Sequence, residues 1–176
     1  MHVLSKRFRS DEGQSEDLQR IVQDSKSLER LLESFTRSEE ISINQKFICS
    51  KCKIVRPMLK KLEVWKLPKY LIIHLKRFSM SEYRRFNKTY DSINYHINGL
   101  SMEPFLAQNE DNKERFDYDL IASVCHYGKM DEGHYVTFAY HAPTDAWYCF
   151  NDTSVKKVER KDAVNDEAYF LVYKRI

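Results

Sequence analysis

A chain of 176 residues suffices for one domain with its own core, or for a large piece of a bigger one. With 42% apolar and 31% charged residues it reads as a soluble protein, and four glycines and four prolines exclude a linker or low-complexity chain. A net charge of +3, from 29 basic and 26 acidic residues, argues against nucleic acid as a partner, and no apolar run reaches the length of a membrane span. The basic runs Lys51 to Lys61 and Lys76 to Lys88 read as solvated faces. Met1 to Gly13 carries no signal-peptide core and no lipidation motif, so the expected compartment is cytoplasmic or nuclear. Aromatic residues reach 13%, much of it in alternating runs, which favours strands.

Residues 1–26 are polar or only partly helical in pattern and read as a lead-in to a unit spanning 27–176. Leu18, Ile21, Val22, Leu28, Leu31, Leu32 and Phe35 recur at helical spacing, with Ser15 or Asp17 as an N-cap. The stripe is one helix or two split around Asp24-Ser25, and its strongest part is 27–36. The pair Cys49-x-x-Cys52 follows. Leu59 to Trp65 and Tyr70 to Phe78 are predicted strands. The second is apolar as far as His74 and alternates after it, as a strand entering a buried sheet and leaving it would. Ser79 to Asp91 reads as a loop or exposed hairpin, Ile93, Tyr95 and Ile97 alternate, Asn98-Gly99 marks a turn, and 107–115 is a polar loop.

The last third is a predicted meander. Phe116 to Tyr127 alternates, Gly128 to Gly133 is a glycine-bounded loop, 134–141 is a strand, Pro143-Thr144-Asp145 turns, and 146–150 is a strand. A polar segment with helical character at 159–165 leads to a closing strand at Tyr169 to Tyr173. The fold class is α+β, a small helical lead followed by a mostly antiparallel sheet.

In this meander a histidine opens one strand and an Asn-Asp pair closes the next. If Ala142 to Asp145 form the loop, His141 faces Ala146 and His134 faces Thr153. His134, Thr153, Asn151 and Cys149 then share a face and Asp152 points away, while a change of one residue in the loop exchanges Asn151 for Asp152. Either residue can hold one imidazole nitrogen and leave the other as a base. A lone histidine in a sheet is more often structural. Here Gly133, the glycine-bounded loop and the nearby His126 favour function.

These residues resemble the histidine box of the ubiquitin-specific proteases, which are papain-like cysteine deubiquitinases: Gly133-His134-Tyr135 with Trp147-Tyr148-Cys149-Phe150-Asn151-Asp152. Phe47 to Cys52 is similar to the family's Cys-x-x-Cys finger, and Leu67-Pro68 with His74-Leu75-Lys76-Arg77-Phe78 to its next strand. Leu28 to Glu40 and Tyr118 to Gly128 resemble further family segments, so the match runs from about residue 27 to 175. The resemblance implies the C-terminal part of a catalytic domain, comprising the palm and part of the fingers. It makes His134 the general base, Asn151 the orienting residue and Asp152 a supporting polar group. It assigns His126, Asp131, Glu132, Gly133 and Tyr135 to binding ubiquitin, with Gly133 leaving room for the ubiquitin tail and the two acids attracting its basic residues.

The family's nucleophile lies in a Gly-x-Thr-Cys box, and no such box occurs in the chain. Cys49 and Cys52 stand where metal ligands belong and supply two of the four ligands of a structural zinc site. Cys125 and Cys149 lie inside strands. Cys149 shares the predicted face of His134 and still reads as a core residue. The expectation is a thiol-dependent ubiquitin hydrolase whose nucleophile-bearing half is missing, so that the chain alone is inactive. The alternative is an inactive ubiquitin-binding or scaffold protein. Ubiquitin and ubiquitinated proteins are the expected partners, without nucleic acid or membrane.

Overall fold

A computed structural model describes residues 26–41, 48–55, 57–80, 86–107 and 116–176. The lead-in, including Leu18, Ile21, Val22, the caps Ser15 and Asp17 and the Asp24-Ser25 break, lies outside the described residues, as does most of the polar loop. The helix α1, Leu28–Thr36, forms over the strongest part of the stripe. Ser27 caps it: its hydroxyl accepts the Arg30 N–H at 3.3 Å and satisfies one of the donors that a helix start leaves open. Leu28 is buried and Leu32 packs against the core beside it, whereas Leu31 and Phe35 are exposed, so this helix docks by its Leu28–Leu32 side.

The strands are β1 (Glu39–Ile41), β2 (Met58–Lys60), β3 (Tyr70–His74), β4 (Phe78–Met80), β5 (Phe86–Lys88), β6 (Leu100–Ser101), β7 (Asp117–Gly128), β8 (Gly133–His141), β9 (Ala146–Asn151), β10 (Ser154–Val158) and β11 (Ala168–Arg175). Seven of them form an antiparallel sheet in the order β10-β9-β8-β7-β11-β3, with β6 also on β7. The pairs β1–β2 and β4–β5 are separate two-stranded ribbons.

The core lies on one face of the sheet. Tyr118, Leu120, Cys125, Val136, Phe138, Trp147, Leu171 and Tyr173 meet Leu28, Ile93, Tyr95, Leu100, Met102, Phe105 and Ala163. Buried tyrosines bind the covering segments to the strands through their hydroxyls. Tyr95 donates to the Ala163 carbonyl and stands 3.1 Å from the Ser123 hydroxyl; Tyr173 donates to the His96 carbonyl. Burial pushes the Tyr95 hydroxyl up to about 12, so it stays a donor.

Several expectations change. The strand expected over Leu59 to Trp65 ends at Lys60, because its partner β1 has only three residues to offer. The run from Tyr70 to Phe78 is interrupted after His74: Arg77 turns inward, and its guanidinium donates to the carbonyls of Ala168, Thr89 and Asp91. Its apolar half is not buried on both faces. β3 is an edge strand, and Ile72 on its outer side is 64% exposed. The alternation at Ile93, Tyr95 and Ile97 records alternate burial of an extended segment held by one isolated bridge, Ser27 to Asn94. β10 was not expected, since Ser154-Val155-Lys156-Lys157 is exposed throughout and carries no burial pattern. The segment at 159–165 contains a short 3-10 turn, Arg160–Ala163, closed by reciprocal Glu159 and Asp162 caps. Among the described residues no helix is long and apolar enough to cross a membrane.

Leu171 is fully buried on β11, between β7 and β3, so Leu171→Ala should destabilise the fold by about 2–5 kcal/mol in urea unfolding. Ile72→Ala on the exposed side of β3 should stay within about 0.5 kcal/mol of the parent.

Candidate active site

The β8–β9 register is the expected one, with His141 opposite Ala146 and Thr137 opposite Phe150. The loop is a 3-10 turn at Ala142–Thr144, with Asp145 left-handed at φ 47°. The ladder stops at Thr137 and Phe150, so His134 does not come to face Thr153. The chain instead reverses at Asp152 and Thr153 into β10, where Asn151 pairs with Ser154. Asn151 reaches diagonally across this end, and its Oδ1 lies 2.6 Å from His134 Nε2. Asp152 occupies a left-handed turn position, φ 49°, and its carboxylate stands 4.0 Å from the same nitrogen. The turn thus brings near the ring a residue that strand alternation would point away, though beyond hydrogen-bond reach. With Nε2–H donating to Asn151, the neutral imidazole keeps its lone pair on Nδ1. The ring is about half exposed, so an outside group can reach that nitrogen.

His126 sits behind this edge. Its side chain is 3% exposed and lies among Phe78, Tyr135 and Tyr169, with ring centroids 5.3, 4.6 and 5.9 Å away. A Cβ on Gly133 would fall inside the His126 ring, so glycine at 133 is dictated by this packing. Gly128, opposite Gly133, has φ +89°, and between them Lys129 donates its N–H to the Glu132 carbonyl. Asp131 and Glu132 are exposed at this loop, and Tyr135 is 52% exposed beside His126.

The cysteines fall into two groups. Cys125 is fully buried, and burial pushes its thiol up to about 11, which makes it inert. Cys149 packs against the core opposite Phe138, four residues along β8 from His134 and so roughly 13 Å away. Cys49 and Cys52 flank a tight turn. Lys53 adopts φ 58° and donates to the Cys49 carbonyl, and Ile48 bridges Val55. Two thiols on such a turn fit half of a tetrahedral donor set, while no group of three or more His, Cys, Asp or Glu gathers among the described residues.

Sequence reasoning missed the supports of the site. Lys88 and Arg77, placed by their charge on solvated faces, are buried: the Lys88 ammonium touches the His126 carbonyl and the Glu167 carboxylate, and Arg77 ties β11 to the segment after β5. Periodicity could not have found them. The signal available for Arg77 was the Lys76-Arg77 pair at the end of an apolar strand, and Lys88 had none.

The ubiquitin carboxyl-terminal hydrolase family model matches residues 12–173. The probable ubiquitin carboxyl-terminal hydrolase 1 of Schizosaccharomyces pombe is 35% identical over 156 residues, covering 84% of this chain and 18% of that protein. The ubiquitin carboxyl-terminal hydrolase 15 of Homo sapiens is 38% identical over 148 residues, covering 84% and 15%. The SAGA Ubp8/Sgf11/Sus1/Sgf73 DUB module bound to ubiquitin aldehyde contains a chain that superposes with a TM-score of 0.74 at 30% identity, covering 86% of this chain and 34% of that one. The chain thus spans less than a fifth of these curated relatives and about a third of the solved chain.

Burial, and after it the Lys88 charge, hold the His126 imidazole below its ordinary pKa. The unfolded chain therefore takes up this proton first, and stability is lost as pH falls from about 6.5. His126→Phe should flatten the stability profile between roughly pH 5 and 7. Thermal unfolding of both forms across that range checks this, and parallel profiles would contradict it.

Proposed function

The chain belongs to the ubiquitin carboxyl-terminal hydrolase family, and on that premise we propose that it supplies the base and its orienting partner to a cysteine deubiquitinase site. The observation that carries the reading is the 2.6 Å contact between His134 Nε2 and Asn151 Oδ1, at a strand end where the ring is open to solvent. The amide fixes the ring without a second charge, as an asparagine does in Cys-His-Asn proteases.

In this reading the nucleophilic thiol comes from outside residues 1–176. Cys125 is buried, Cys149 is turned to the core, and Cys49 and Cys52 occupy a separate turn. His134 Nδ1 takes the thiol proton as sulfur attacks the carbonyl of ubiquitin's terminal glycine. It returns that proton to the departing amine as the carbon–nitrogen bond breaks, leaving a thioester. It then takes a proton from water, whose oxygen attacks the thioester and releases the ubiquitin carboxylate and the thiol. The exposed edge formed by Gly133 and Tyr135, backed by the buried His126, receives the ubiquitin tail, and Asp131 and Glu132 attract its basic residues. Cys49 and Cys52 hold zinc together with two further ligands from outside the described residues, and the ion serves the fold of that region.

The test joins the chain, from residue 26 onward, to the segment that precedes the matched region in the fission yeast relative. The expected result is cleavage of a ubiquitin C-terminal amide by the fusion and none by the chain alone. His134→Ala should lower kcat by roughly 10²–10⁴-fold, and Asn151→Ala by at least about tenfold. A fusion that binds ubiquitin without cleaving it would support an inactive ubiquitin-binding protein instead.

A further inference from the structure

The reactive end of the β7–β8 hairpin projects beyond its neighbours. β11 pairs with β7 only as far as Cys125, and β9 pairs with β8 only from Thr137 onward. Residues 126–136, which include Gly133 and His134, therefore form a ribbon of two strands with no third strand on either side among the described residues. A two-stranded hairpin is marginal in water by itself. Something other than the sheet must hold the backbone that carries His134.

One group stands at the point where the sheet gives out. The Lys88 side chain, on β5, is 3% exposed, and lysine is rarely buried without a partner. Its ammonium lies 2.6 Å from Glu167 Oε2 and donates to the carbonyl of His126, the first residue of the projecting ribbon. Its third neighbour is the Tyr90 ring, 5.1 Å from the nitrogen. Glu167 closes the arrangement from the other side. Its carbonyl accepts the His126 N–H at 2.9 Å, and its own N–H donates to Asn165 Oδ1 at 2.9 Å. Both backbone groups of His126 are thus held by one ion pair and its own main chain. The His126 ring in turn packs against Gly133, immediately before His134.

We propose that Lys88 is a positioning residue for His134: by bridging the Glu167 carboxylate and the His126 carbonyl, it fixes the root of the two-stranded ribbon that presents the imidazole. The role rests on the reading of His134 as the base, but the clamp itself requires neither ubiquitin nor a nucleophile. An ion pair of this kind adds little net stability over apolar replacements of similar size. Its effect lies in where the ribbon sits, so its loss should loosen residues 127–135 far more than the rest of the sheet.

Amide exchange and the His134 ring signals in the isolated chain test this by NMR. In Lys88→Met, exchange at Tyr127 and His134, the pair that bonds across the ribbon, should rise at least about tenfold, while Phe138 to Tyr140, flanked by β9, hold their rates. Lys88→Arg should restore protection to within roughly threefold. Because Lys88→Met strands the Glu167 charge and can unfold the chain, a second variant, Lys88→Met with Glu167→Leu, removes both charges. It should recover the parent's melting temperature yet keep the ribbon open and the His134 ring signals shifted, since the His126 carbonyl still lacks its donor. A uniform rise in exchange across the sheet, unchanged exchange at Tyr127 and His134, or full protection in the double variant would each overturn the proposal. Failure of the fusion to cleave ubiquitin, with these exchange results intact, would strike the functional reading alone.

Discussion

The structure depends on how a long antiparallel ladder ends. Across the middle of β7 and β8, pairing on both sides makes the backbone rigid, and the inward side chains form the core. Beyond Cys125 and Thr137 that support stops within a few residues, and the histidine lies just past the boundary. This placement exposes the ring, because among the described residues no further strand or core covers it. It also removes the hydrogen bonds that would otherwise fix it. The side chains around the ribbon compensate: Asn151 holds the ring, His126 packs on Gly133, and Lys88 with Glu167 holds the His126 backbone.

The cost of this arrangement is visible in the buried polar groups. Lys88, Arg77 and His126 lie within the protein, each matched mainly to backbone carbonyls, a carboxylate or aromatic rings. Desolvation keeps His126 neutral, which suits a ring pressed against a neighbouring glycine. One nitrogen of Arg77 and Nδ1 of His126 have no partner among the described residues, so this region is less fully satisfied there than the tyrosine-bonded core beneath the sheet. Fully satisfied networks give rigidity, and partly satisfied ones leave room for adjustment where another chain must fit.

Where burial repeats with the period of a strand, the sequence revealed the fold. The meander from residue 116 onward and the register that sets His141 against Ala146 follow from alternation and one turn signal. The pairing of His134 with Asn151 followed from that register and from the resemblance of the surrounding residues to a family. The parts that stayed hidden have physical reasons. β10 is exposed along its length, so it has no apolar side to betray it. The apolar run at Tyr70 to His74 looked doubly buried, yet within this chain its outer side faces solvent. Lys88 and Arg77 carry charges that composition assigns to the surface, and only three-dimensional packing turns them inward.

In the proposed mechanism Asn151 fixes the tautomer of His134 and leaves Nδ1 as the base. Long-range proton–nitrogen correlation of the neutral His134 imidazole tests this. The expected result is a single neutral form with the proton on Nε2 and an unprotonated Nδ1, lost to a mixture in Asn151→Ala. A ring protonated on Nδ1, or an even mixture in the unaltered chain, would contradict it.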